Sequence, residues 1–359
     1  MPETEPVTRA LTRAGVFTPS VVAAAAGLER RSPNPRAFAL GLLRRGWATP
    51  LQARWAARGF ADRLAVGRYV LLDRIGTGGM AQVFLARHRE LARLAAVKLV
   101  RPDRQGCLRT RARFVREVRA VGRLNHAHVV HGYDAGTVHG VYYLAMEHVP
   151  GPDLSRVVVA GGPLDPGRAC EYVRQAALGL GHVHTQGLVH RDVKPANLGL
   201  TSGGRVVKVL DVGLARVTAP AAGDAGLSLV GRLVGSADYA APEQVADSRR
   251  VDARADQYAL GCTLYHLLAG HVPFPGGTAV RKAMRHLSEA PEPIEAVRPG
   301  LPPGVCAVVR RLMARRPEDR FPTADDAAVA LVPFAVPVVG MLWPPGSGST
   351  TAFDMPTLA

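Results

Sequence analysis

From Arg68 the chain runs YVLLDRI, AQVFLARH and LAAVKLV, three strand-like stretches parted only by short polar or glycine-containing breaks. Breaks that short predict an antiparallel start, because parallel neighbours need a crossover of about a dozen residues or more. RTRARFVREVRAVGRLN follows with Phe114, Val118, Val121 and Leu124 at helical spacing, and VVHGYDAGT and VYYLAMEHV return to strand character. After Pro150 the pattern turns helical, notably over 166–185, 252–269, 303–314 and 323–332. Strands first and helices afterwards predict an α+β fold.

Composition narrows the function. With 359 residues and 47% hydrophobic content the chain has ample material for a core. The formal net charge of +16 comes almost wholly from Arg spread along the chain, beside heavy Ala, Gly, Pro and Val usage. That is the mark of a biased composition rather than a binding block, so no nucleic-acid partner is expected. The same bias makes the lysines informative: only Lys98, Lys194, Lys208 and Lys282 survive, and a compact ammonium kept among arginines hints at function. Cys107, Cys170, Cys262 and Cys306 are widely spaced, which indicates neither zinc nor disulfides. The start lacks a signal-peptide core, and neither VVAAAAGL nor FAVPVVGMLW is long enough to span a bilayer. The expectation is a cytoplasmic protein without a membrane span.

Three regions are expected: a helical module over 1–66, a main domain over 67–332 divided at residue 149, and a disordered tail over 333–359. The module holds an echo, RAGVFTPSVV and RRGWATPLQA, both of the form RxGxxTP. Physically each is a helix stop at Gly15 or Gly46, then an N-cap at Thr18 or Thr49 with Pro19 or Pro50 in the first helical position. Trp47, Trp55 and Phe60 are candidates for a partner-binding face, though aromatics at this spacing more often form core.

Four motifs carry chemistry. IGTGGMAQVFLA places Gly76 and Gly78 between two strands, where backbone can approach phosphates closely; a plain hairpin turn is an equal reading. A dinucleotide fold would need a helix after the glycines instead. Lys98 sits inside a strand made for burial, where an ammonium is costly unless paired, and Glu117 on the next helix is the partner expected. In LVHRDVKPANL, Asp192 is suited to accept a hydroxyl proton, Lys194 to neutralise a phosphoryl group, and Asn197 to offer an oxygen to magnesium; a solvated polar loop is the bland alternative. Asp211 ends the short strand VVKVL and is followed by Val212 and Gly213, a good place to hold magnesium against phosphates.

Taken together and in this order, with Ala241, Pro242 and Glu243 after them, the motifs resemble those of the bacterial, eukaryotic-like Ser/Thr protein kinases over residues 68 to about 332. The resemblance implies a β-rich N-lobe (67–149), a helical C-lobe (150–332), and ATP and Mg2+ as cofactors. It implies Asp192 as catalytic base with Lys194, Lys98 and Glu117 in the catalytic set, and Asn197 and Asp211 as metal ligands. Ile75, Gly76, Gly78, Val83, Ala96, Lys98, Met146, Glu147, Val149 and Asp153 would line the nucleotide site. Asp256 would brace the catalytic loop and Glu243 would pair with Arg320. Lys194 implies protein Ser and Thr hydroxyls as substrates, autophosphorylation included. A pseudokinase or scaffold that binds nucleotide with little transfer is the alternative.

The chain departs from the family pattern at Val212, where Phe is usual, at Ala81, where a third glycine is usual, and at Ser236 in place of Thr. Between Gly213 and Gly235 the only hydroxyls are Thr218 and Ser228, which predicts little dependence on loop phosphorylation, or use of Ser228 alone. The TP-containing module is similar to a helical extension ahead of some planctomycete-type kinases, which implies a docking or regulatory segment with its own partner protein.

Overall fold

Among the described residues, six strands form one antiparallel sheet in the order β1-β2-β3-β4-β6-β5. They are β1 (Ala65–Val66), β2 (Tyr69–Thr77), β3 (Ala81–His88), β4 (Leu94–Val100), β5 (Gly132–Val138) and β6 (Val141–Glu147). The computed structural model describes residues 5–78, 81–100, 114–115, 118–212, 237–247 and 251–338. The chain divides into two units, Met1–Phe114 with Gly132–His148, and Val115–His131 with Val149–Ala359.

Four helices precede the sheet in the first unit: α1 (Val7–Arg13), α2 (Pro19–Arg31), α3 (Pro35–Arg44) and α4 (Pro50–Ala57). Pro opens α2, α3 and α4, where its missing N–H is no loss. Gly15 and Gly46 take φ of 78° and 65°, the left-handed turn expected after a helix end. The start of α1 is satisfied from another helix, since Val7 N and Thr8 N donate to Glu29 at 2.6 and 3.0 Å.

Strand alternation then decides what the sheet does. Phe84, Ala86, Ala95, Val97, Tyr143 and Ala145 share one face and form a single core with Leu11, Phe38, Leu42, Leu51 and Leu64 from the preceding segment. Burial stabilises each large apolar side chain by about 1.5–3 kcal/mol. The helices are thus the cover of that face. Trp55 packs edge-on to Phe84 at 5.8 Å, so it belongs to the core; Phe60 stays 40% exposed, with the Arg63 guanidinium over its ring. Residues one step along each strand, among them Val83, Ala96, Lys98, Leu144 and Met146, take the opposite face.

The second unit is helical around a two-stranded sheet, β7 (Leu198–Leu200) and β8 (Val207–Val209), paired antiparallel. Its core is built on the helices Pro166–Thr185, Arg254–Ala269, Pro303–Leu312 and Ala324–Leu331. Arg254–Ala269 is buried nearly all round, from Asp256 to Leu268. Of the residues assigned to the tail from sequence, 333–338 are described; Phe334 packs on this core and Val336 N donates to Gly167 O at 3.1 Å. No described helix is long and apolar enough to cross a membrane.

Candidate active site

The glycine turn grows out of an irregular strand. β2 slips register against β3 between Leu71 and Asp73 and again between Arg74 and Gly76, so Leu72 and Ile75 each lack a residue opposite. Such bulges increase local twist and re-aim the residues beyond them. Gly76 then pairs with Val83, and Gly78 N donates to Ala81 O at 2.9 Å to close the turn.

Across the sheet, Val83 stands opposite Lys98, Lys98 opposite Leu144, and Ala96 opposite Met146. Lys98 is only 6% exposed. Its expected partner Glu117 lies outside the described residues. Glu147 ends β6 opposite Ala95.

In the second unit the loop after helix Pro166–Thr185 is held by Asp256, which is fully buried. Its Oδ1 accepts the Arg191 amide at 2.6 Å, and its Oδ2 accepts His190 N at 2.8 Å and lies 2.8 Å from His184 Nε2. Burial pushes this carboxyl up, but the hydrogen bond and charge of His184, the charge of His190 and the Arg191 amide outweigh it and hold the group below its ordinary value. His190 Nδ1 accepts from Asp192 N at 3.2 Å, which leaves Nε2–H to donate to Leu210 O at 2.8 Å. These bonds fix a strained backbone: Arg191 and Asp211 take φ of 64° and 54°, a region non-glycine residues seldom enter.

Asp192 is bracketed. Lys194 Nζ lies 3.0 and 2.8 Å from its two carboxylate oxygens. Asn197 Nδ2 donates to Asp192 O at 2.7 Å and to Oδ2 at 3.1 Å, which turns the amide oxygen of Asn197 to the other side. Leu210 N donates to Asn197 O at 2.9 Å and Leu198 pairs with Val209, so Asn197 and Asp211 follow each other around one short hairpin. Asp153 lies near: it caps helix Leu154–Gly161 through Arg156 N and bridges to Gly199, against which Val149 also packs. Val212 is 1% exposed within the core of this unit.

The segment Ala241–Glu243 is anchored as firmly. Glu243 accepts both arms of the Arg320 guanidinium, at 2.6 and 2.9 Å, and Arg320 is 2% exposed. Gln244 Nε2 donates to Arg191 O at 3.1 Å and so ties this segment to the loop that carries Asp192. Asp238 pairs with Lys282 at 2.6 Å. Thr218, Ser228 and Ser236 lie outside the described residues.

The first unit therefore carries Ile75, Gly76, Gly78, Val83, Ala96, Lys98, Met146 and Glu147, and the second carries Val149, Asp153, Asp192, Lys194, Asn197 and Asp211. Gln244 and His184 leave no signal in the sequence, since each acts through a backbone atom or a residue far along the chain. The sequence marks Thr49 only as a cap and Gln52 not at all; both bond to β2. Among the described residues no group of three or more His, Cys, Asp or Glu gathers as a metal cage. Magnesium held against phosphates needs none, because one or two protein oxygens suffice.

A strand sheet with a buried lysine, and a helical unit presenting an Asp–Lys–Asn loop, define a phosphotransferase domain of the kinase kind. The chain belongs to the protein kinase family: residues 69–329 match its model, described as protein kinase domain. It is 40% identical over 271 residues to the serine/threonine-protein kinase PknB of Mycobacterium tuberculosis, covering 74% of this chain and 42% of that protein. A probable serine/threonine-protein kinase of Streptomyces coelicolor is 38% identical over 269 residues, 73% of this chain and 39% of that one. The chain thus spans about two fifths of the length of these relatives. Among solved structures, the PknI kinase domain of Mycobacterium tuberculosis aligns with a TM-score of 0.59 at 31% identity, over 75% of this chain and 97% of that one. Rad53 1–466 in complex with AMP-PNP aligns at 0.60 and 26% identity, over 75% and 66%.

Proposed function

We propose that this chain is an active Ser/Thr protein kinase that moves the γ-phosphoryl group of ATP to protein Ser and Thr hydroxyls, its own included. The observation that carries the reading is the setting of Asp192, a carboxylate bracketed by Lys194 at 2.8 Å and Asn197 at 3.1 Å on a loop pinned by Asp256. Asp192 accepts the proton of the attacking hydroxyl as its oxygen bonds to the γ-phosphorus; the bond from that phosphorus to the bridging oxygen breaks and ADP leaves. Lys194 offsets charge on the moving group and keeps the Asp192 carboxylate oriented. Lys98, whose partner expected from the sequence is Glu117, holds the α- and β-phosphates, while Gly76 and Gly78 let backbone approach them. Ile75, Val83, Ala96, Met146, Glu147 and Val149 receive the adenine, and Asp153 the ribose.

The donor set suits a hard cation: Asn197 offers an amide oxygen and Asp211 a carboxylate. Magnesium, when bound, neutralises phosphate charge. Everything else required of the chain is positioning.

One observation favours a second reading, a nucleotide-binding scaffold: Val212 fills with a small aliphatic group the place where the family pattern has Phe. Transfer of labelled phosphate from ATP to a generic basic protein and to the chain itself separates the two. Asp192→Ala is expected to lower transfer by about 10²–10⁴-fold while ATP binding persists. Wild-type protein that binds ATP yet transfers nothing would establish the scaffold.

A further inference from the structure

We propose that Thr49 and Gln52 are positioning residues for nucleotide binding: the capping box of α4 holds the bulge in β2 and thereby sets where the glycine turn Gly76–Gly78 stands. The inference rests on the kinase reading above and assigns part of the nucleotide site to the segment ahead of the family domain.

At Leu72 the β2 strand carries a residue with no partner on β3. A bulge removes backbone groups from the ladder, and those groups need partners elsewhere. Here α4 provides them. Gln52 Nε2 donates to Leu71 O at 2.8 Å, and Thr49 Oγ1 donates to Leu72 O at 2.5 Å. Neither side chain gives up its capping role: Gln52 Oε1 accepts Thr49 N at 3.0 Å and Thr49 Oγ1 accepts Gln52 N at 3.3 Å. Gln52 is 3% exposed, so its amide has no water to fall back on. Two consecutive carbonyls are thus clamped by one rigid turn of helix. Gly76 lies four residues further along the same strand, after the second slip at Ile75.

The other copy of the motif supplies the contrast. Thr18 likewise precedes a Pro that opens a helix, α2, yet its side chain makes no cap bond, stays exposed, and among the described residues meets only Ser20 Oγ at 2.9 Å. Helix capping alone therefore does not account for the second copy. The extra feature at Thr49 and Gln52 is the bond to the strand that leads into the turn.

The test compares Thr49→Val with Gln52→Met, separately and together, against wild type and Thr18→Ala. Each variant is first checked for a cooperative melt, and the single variants serve if the double one fails to fold. Binding of a fluorescent ATP analogue is expected to weaken roughly five- to tenfold, as is KM for ATP, while kcat and KM for the protein substrate change by less than about twofold. Thr49→Ser, which keeps the hydroxyl, should restore both. Amide exchange in the peptide spanning 70–78 should quicken in the same variants. Folded variants whose analogue affinity stays within about twofold of wild type would overturn the proposal, as would kcat and both KM values worsening together. A wild type that binds the analogue without phosphate transfer sinks only the kinase reading, because affinity still decides this one; a wild type that binds no nucleotide sinks both.

Discussion

The catalytic loop and the glycine-bearing strand are both steadied from outside themselves, and the two supports differ in kind. Under the loop stands Asp256, a fully buried carboxylate that gathers two backbone amides and an imidazole. Behind the strand stand Thr49 and Gln52, neutral groups that each give one proton to a carbonyl. Charge-assisted bonds are roughly twice as strong as neutral ones. The stronger support sits where the backbone is bent out of its ordinary range, at Arg191 and Asp211. On the proposed function, a turn that accepts and releases a nucleotide is served by the weaker clamp, and a loop that aims a proton acceptor by the stronger one.

The sharpest way to break the comparison is to remove a buried ion pair on the charged side. Arg320→Ala leaves Glu243 and the carbonyls of Arg254 and Ala314 without their donor and is expected to destabilise the fold by about 3–5 kcal/mol, read as a shift in urea midpoint. A change under about 1 kcal/mol would mean that the pair is no better than a surface bridge.

Next comes Asp256→Asn, which turns an amide edge toward N–H donors. Phosphate transfer should fall about 10²-fold with a stability loss of about 2–3 kcal/mol. Because this carboxyl is depressed in the folded chain, its contribution is complete above the unfolded value of about 3.9 and is lost only as pH falls below that. The Asp256 carboxylate itself therefore stays ionised between about pH 5 and 8.

His286 loses stability in the same direction but in a higher pH window, which sharpens the contrast. Burial pushes its imidazole down to about 4, and its Nδ1 lies 2.8 Å from the Tyr258 hydroxyl. Its unfolded form takes up a proton below about 6.5 while the folded form resists until about 4, so stability should decline across that window as pH falls. The slope is at most about 1.4 kcal/mol per pH unit for one proton. Urea midpoints measured from pH 7 to 4 should flatten in His286→Gln; an unchanged slope would show that this imidazole has no part in the acid sensitivity. Burial also lowers His126 and His128, and they add to the wild-type decline.

The smallest effect separates the two repeats. Thr18→Ala should change the melting temperature by no more than a degree or two, because its hydroxyl holds nothing in the helix, whereas Thr49→Ala should lose about 1–2 kcal/mol. Equal losses in a thermal melt would erase the difference between the two copies.

Much of the site was legible because charged residues in apolar runs need a reason. Lys98 inside AAVKLV and the Asp–Lys–Asn loop were expected from the residues themselves, and Asp256 and the Glu243–Arg320 pair from the resemblance to the kinase family; the last two form as expected. Strand and helix periods located β2, β3, β4 and the long helices of the second unit. The repeats show the limit: RxGxxTP fixes a stop, a left-handed glycine and a proline start in both copies, but it says nothing of what the Thr side chain meets. Thr49 meets a bulged strand and Thr18 meets only the nearby Ser20 hydroxyl among the described residues. In the same way Glu29 caps α1 across a turn of chain that no local pattern links, and Trp55 proved to be core because Phe84 lay beneath it.

The shared core of the first unit bears on how this protein can be handled. A fragment cut along the family boundary, 69–329, would carry Leu71, Phe84, Val97 and Tyr143 on a bare sheet face. Uncovered apolar faces of that kind drive aggregation. The smallest piece that stays in solution should begin ahead of α1, so the segment that looks like an appendage in a family alignment is, in folding terms, the back wall of the domain.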